Sequence, residues 1–158
     1  MKRMVWIAAL AAAVLLTPFH SRDAAKLKPV RALCMDARDG KCVLETDNGL
    51  CGTGADPAAA IADLEKTAPG IVVLSTARQL VVTDAASGLL GPLLDLEVLH
   101  PGTALYCAGG PVDMQDAAEF LDRRGSGITV TRYQAAMLAG EAVGLPRLSG
   151  GEGRYYIY

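Results

Sequence analysis

Histidine, serine, cysteine and paired acids are the side chains here that could do chemistry, and their spacing limits what that chemistry can be. The chain has two histidines, His20 and His100. His100 lies in a His100-Pro101-Gly102 turn. A general base needs an orienting partner, and no neighbour in sequence supplies one, so His100 reads as a solvent-facing turn residue. Ser126 sits in "RRGSG" beside Arg123 and Arg124, a grouping that could hold an anion. Arginines closing a helix also complement its C-terminal dipole, which is the simpler account. Asp36, Asp39 and Asp47 fall around a hairpin but lack the calcium-loop spacing. Gly49, Gly52 and Gly54 form G-x-x-G-x-G, neither the dinucleotide fingerprint nor a Walker loop. They read as a flexible loop leading to a helix cap.

The four cysteines are Cys34, Cys42, Cys51 and Cys107. Without a C-x-x-C pair, and with so few histidines, they match no structural zinc pattern. In an exported chain an even number invites disulfides, and buried free thiols are the alternative. "VRALCMD" and "KCVLET" flank Asp39-Gly40, a strong type I′ hairpin signal. A two-residue turn sets Cys34 opposite Glu45 and Cys42 on the other face. A three-residue loop ending at Gly40 makes the two cysteines diagonal neighbours. Neither register faces them directly, so no Cys34–Cys42 bridge is expected. Pairings with Cys51 or Cys107 stay open.

The elements around these residues follow from period and punctuation. Asp56 and Pro57 open a helix, "PAAAIADLEKTA", with Ile61, Leu64 and Ala68 on one face. Pro69-Gly70 ends it. "IVVLS" and "QLVVT" read as buried strands. Thr83 or Asp84 caps a helical stretch, "AASGLLGPLLDLEVL", broken at Gly91-Pro92. "TALYCAG" is a central strand. Asp113 caps "MQDAAEFLDRR", with Met114, Ala117, Ala118 and Leu121 on one face. "GSGITV" is a loop, and a helix starting at Thr129 or Thr131 runs to Gly144. "SGGEGRYYIY" is a glycine linker with a short β-prone end. The order predicts an α/β fold (α+β-like), a single domain with a mixed sheet and flanking helices. The runs at Val30, Ile71, Gln79 and Thr103 should join one sheet, with the helices at Pro57 and Met114 packed on it.

Lys2 and Arg3 precede an apolar run, Val5 to Leu16, of signal-peptide length. It is shorter than the ~20 residues of a typical span. No A-x-A-like box follows. The run closes on Thr17, Pro18, Phe19 and His20, so residues 1–21 are a signal peptide or an uncleaved membrane anchor, and 22–158 the α/β domain. A net charge of −2 and an aromatic content of 5% argue against nucleic-acid binding.

Taken in order, "LTPFHSRDAAKLKPVRALCMDARDG", "GTGADPAAAIADLEK", "IVVLSTARQLVVTDAASGLLGPLLDLEVL", "ALYCAGGPVDMQDAAEFL" and "AAMLAGEAVGLPRL" resemble the N-terminal domain of the Ger(x)C family. These are the lipoprotein C subunits of spore germinant receptors. The likeness covers nearly the whole chain and is carried by the shared order. The chain has Pro18-Phe19 where the family has its lipidated cysteine, so the resemblance is to that domain without the lipobox cysteine. The family's strand-pair histidine is missing, as is its Arg-Asp-x-Glu, a region that here reads Leu99-His100-Pro101-Gly102. The family also runs on into further domains.

The resemblance implies a non-enzymatic, membrane-associated component of spore germination. It would be exported to the outer face of the cytoplasmic (spore inner) membrane. Its partners would be the integral membrane A and B subunits of the receptor. No catalytic, cofactor-binding or metal-binding residue is assigned. Two other classes compete with this reading. One is a secreted domain binding a small molecule or peptide and unrelated to spores. The other is a small exported hydrolase or thiol enzyme using Ser126 or a cysteine.

Overall fold

The computed structural model describes residues 26–124, 127–151 and 154–158. The leader over 1–21 and Ser126 lie outside the described residues. The chain folds as one α/β domain around a mixed eight-stranded sheet. Short strand β1 (Leu27–Pro29) precedes β2 (Ala32–Arg38), β3 (Lys41–Thr46) and β4 (Cys51–Gly54). Helix α1 (Pro57–Thr67), β5 (Ile71–Val73) and β6 (Gln79–Thr83) follow. A 3-10 turn then leads into α2 (Leu90–Leu94), β7 (Ala104–Ala108) and α3 (Met114–Arg124). The chain continues through β8 (Ile128–Thr129), α4 (Val130–Leu138), β9 (Arg147–Gly151) and β10 (Arg154–Ile157).

Sheet order is β10-β9-β7-β6-β2-β3-β4, with β8 paired to β7 off this path. β2, β6, β7 and β9 are mutually parallel, and hairpins add antiparallel strands at both margins. At the first hairpin Arg38 faces Lys41 and Cys34 faces Glu45, the two-residue register. Asp39 and Gly40 have φ of 51° and 73°, the positive values a type I′ turn demands.

Two apolar cores lie on opposite faces of the sheet. Leu33, Met35, Leu44, Leu80, Val82 and Leu105 meet α1 and α2 through Ile61, Leu64, Leu90 and Leu93. Ala32, Cys34, Val81 and Tyr106 meet α3 through Met114, Ala117, Ala118 and Leu121. Each fully buried leucine contributes about 1.5–3 kcal/mol. Asp56 caps α1 as its type predicts, accepting from the Ala59 N–H at 2.8 Å, with Pro57 at the first position. Asp113 accepts from the Gln115 N–H at 2.9 Å at the start of α3.

The structure corrects the expected elements at six places. β5 does not join the main sheet. It pairs in parallel with β1 alone, because it is three residues long and a 3-10 turn follows at once. Gly91-Pro92 does not break a helix. Residues 84–89 are 3-10, and Pro92 lies in the first turn of α2, where its missing N–H is not needed. "GSGITV" is not all loop, since Leu105 pairs with Ile128 and Ala104 with Thr129. Thr129 rather than Thr131 caps α4, which ends at Leu138 and not at Gly144. Gly140, with φ of 72°, turns the chain away. The tail is a hairpin, β9–β10, and not a linker.

The glycine-rich stretch is the sixth correction. "CGTG" is strand β4, lying directly against α1. A Cβ on Gly52 would come within 2.2 Å of the Ala60 carbonyl oxygen, and one on Gly54 within 2.4 Å of the Ala60 nitrogen. These glycines are there to let backbone meet helix.

Candidate functional site

In a parallel sheet the carboxyl ends of the strands are where ligands usually bind. Here β2 ends in Asp36 and Arg38, β6 in Thr83 and Asp84, and β7 in Ala108 and Gly109. Arg147, opening β9, stands level with Cys107. Asp36 is buried at 4% exposure. It accepts from the Thr83 hydroxyl at 2.6 Å and from Arg38 Nε at 2.6 Å. Arg38 Nη1 also reaches Glu45 Oε1 at 3.0 Å. Burial pushes the Asp36 carboxyl up, but the Thr83 and Arg38 bonds, with the Ala37 backbone, outweigh it and hold it below its ordinary value. Such a carboxylate stays charged and paired at neutral pH and is a poor proton donor.

Beside it, Arg147 grips Asp84 with both arms, Nη1–Oδ1 at 3.1 Å and Nη2–Oδ2 at 2.5 Å. This bidentate pair ties the C-terminal hairpin to the end of β6. The Asp84 carboxylate raises the arginine further above its usual range. The carboxyl edge is therefore lined with charges already committed to one another.

On the α3 face of the sheet a cleft opens between the β3–β4 turn and the β7–α3 loop. Glu45, Leu50, Cys51, Pro111, Val112 and Gln115 are among its lining residues. Cys51 is the exposed thiol. Partial burial and then the Glu45 carboxylate hold it above its ordinary value, the opposite of what a nucleophilic thiol needs. Cys34 and Cys42 are buried on opposite faces of the sheet and unbridged. Burial pushes their thiols up to about 12 and about 11. The Cys107 Sγ lies 3.4 Å from the Leu145 carbonyl oxygen.

The other candidates scatter. His100 is exposed, and its Nδ1 accepts from the Gly102 N–H at 3.0 Å, so it closes its own turn. Asp36, Asp39 and Asp47 do not gather. Asp36 and Asp47 serve opposite ends of β2, and Asp39 occupies the turn. Asp47 accepts from the Arg31 and Ala32 N–H groups at 2.9 and 3.3 Å and from Arg31 Nε at 2.8 Å. Arg123 pairs with Glu119 one turn back on α3, and Arg124 is exposed. Among the described residues no group of three or more His, Cys, Asp or Glu side chains could hold a metal ion. No helix among them is long and apolar enough to cross a membrane.

The partnership of Asp36 with Thr83 spans 47 residues and that of Asp84 with Arg147 spans 63. The sequence carries no local signal for either; only the parallel pairing of β6 with its neighbours brings them together. Comparison of the chain with protein-family models, curated proteins and solved structures found no match.

Proposed function

We propose that this chain is an exported, membrane-tethered, non-enzymatic domain acting in spore germination, as the first domain of a Ger(x)C subunit does. Its partners in this reading are integral membrane A and B subunits, on the outer face of the cytoplasmic membrane. The observation that carries the proposal is the order of motifs from the Asp39-Gly40 hairpin to Leu145-Pro146-Arg147-Leu148. The last of these gives a buried Leu148 and the Arg147 that holds Asp84. Support for a binding role comes from the carboxyl edge, whose Asp36, Arg38, Thr83, Asp84 and Arg147 all bond internally. Such an edge offers fixed relief for a partner.

The test is fractionation of the full chain, epitope-tagged, from sporulating cells of a Gram-positive host. It should sediment with membranes, retain its Met1-proximal peptides and take up no labelled palmitate. Cross-linked multi-span receptor subunits should co-purify with it. A soluble secreted form beginning near Arg22, with no receptor subunit attached, would overturn the proposal in favour of a secreted binding domain.

A further inference from the structure

The two margins of the sheet are finished differently. At the β4 margin, α1 covers the strand. Asp63 Oδ2 accepts from the Thr53 N–H at 2.9 Å, and the Thr67 hydroxyl reaches the Cys51 carbonyl at 3.5 Å. That edge is closed to further pairing, as natural sheets commonly arrange. At the β10 margin nothing comparable is present among the described residues.

The register of β10 defines what it leaves open. Arg147 and Tyr158 exchange both main-chain bonds, at 2.8 and 3.1 Å. Pairs alternate along an antiparallel ladder, so Tyr156 bonds to Ser149 across the hairpin. Tyr155 and Ile157 then turn their N–H and C=O groups outward. Tyr156 is 64% exposed. A groove of about 760 Å³ runs beside this edge, between β10 and α3, floored by Phe120, Tyr155 and Ile157. Its α3 wall carries Asp116 and Glu119 toward one end and Arg123 and Arg124 toward the other.

We propose that β10 pairs with β10 of a second copy of this chain, antiparallel about a two-fold axis at Tyr156, to form one continuous sheet. In that register Tyr155 of each copy meets Ile157 of the other, and both satisfy their outward main-chain groups. Tyr156 meets its own counterpart as a non-hydrogen-bonded pair, the closer of the two kinds. The two-fold axis also runs the two α3 helices antiparallel across the joined grooves. The acidic half of each then faces the basic half of the other, so the surface is complementary to itself. That match selects a second copy over an unrelated strand. The proposal does not depend on the role in germination.

The experiment uses the full chain in mild detergent, followed by analytical ultracentrifugation and cysteine cross-linking. Tyr156→Cys should form an intermolecular disulfide, because such pairs hold Cα atoms about 4.5 Å apart. Arg154→Cys should not, since it lies far from its counterpart. Ile157→Pro removes an outward N–H without touching the β9 ladder and should weaken dimerisation by about tenfold or more.

Two charge variants provide a control independent of folding. Asp116→Arg with Glu119→Arg makes the groove wall of α3 wholly basic, and Arg123→Glu with Arg124→Glu makes it wholly acidic. Each should be monomeric alone, and the two should pair when mixed. A monomeric wild-type chain at tens of micromolar would overturn the proposal. So would a dimer that ignores Ile157→Pro and cross-links equally at 154 and 156. Pairing of β10 with a receptor subunit in place of a second copy would overturn it too.

Discussion

Thiols and one carboxylate show most plainly how surroundings set the behaviour of single side chains. Cys34 and Cys42 have no water to stabilise a thiolate, and burial drives both upward, to about 12 and about 11. In the folded chain at pH 8 iodoacetamide should label Cys51 and leave Cys34 and Cys42 untouched. Peptide mapping without reductant should recover no Cys34–Cys42 link, and finding one would contradict the register. Asp36 runs the other way. Its folded value lies below the ordinary 3.8, so the stability it contributes is present above pH 3.8 and fades as pH falls through the folded value. Asp36→Asn should cost about 1–3 kcal/mol at pH 7, by urea denaturation, and the gap should narrow at pH 3. A gap unchanged between the two would show that the carboxylate's charge is not what matters. The hairpin placing these residues was legible in Asp39-Gly40, whereas Thr83, the partner of Asp36, was not. Its selection depends on β2 and β6 lying side by side, which no local pattern encodes.

Among the elements, caps and periodic faces could be read directly, since Asp56, Asp113 and Thr129 act within three residues of themselves. Short pieces could not all be read. β8, at two residues, gains strand geometry only from a neighbour, the three-residue β5 was legible as a strand but not in its pairing, and β4 was hidden by its glycines. Those glycines give the sharpest prediction at this scale. Gly52→Ala pushes a methyl to within 2.2 Å of a helix carbonyl, where neither backbone can yield cheaply. The substitution should destabilise the domain by about 3 kcal/mol or more, measured by thermal unfolding. Gly88→Ala, with nothing within 4 Å of its Cβ, should lie within about 0.5 kcal/mol of wild type. Equal effects at the two positions would refute the packing of α1 on β4.

For the whole molecule, the class of fold followed from the alternation of strands and helices, but the path of the sheet did not. Sequence places the longer strands β2, β3, β6 and β7 at the right residues and is silent on which edges they share. The sharing at β7 has an outcome of its own. Its outer edge is divided, with Ala104 and Leu105 given to β8 and only Cys107 and Ala108 to β9. Beyond that short seam, the C-terminal hairpin is held by the exposed Asp84–Arg147 pair, by the Cys107 N–H bonded to the Pro146 carbonyl at 2.9 Å, and by the buried Leu148 and Tyr155. So slender an attachment makes the hairpin a separate cooperative unit, able to open while the central strands stay closed. Amides of Tyr156 and Tyr158 should exchange with deuterium at least about tenfold faster than those of Leu80 to Val82. Arg147→Ala should widen that difference and leave the global unfolding midpoint close to that of wild type. Uniform exchange rates along the sheet would mean that the hairpin opens only when everything does. With graded rates, the chain has a hinged flap whose opening bares the outer edge of β7, so its resting state is an equilibrium between a longer and a shorter sheet.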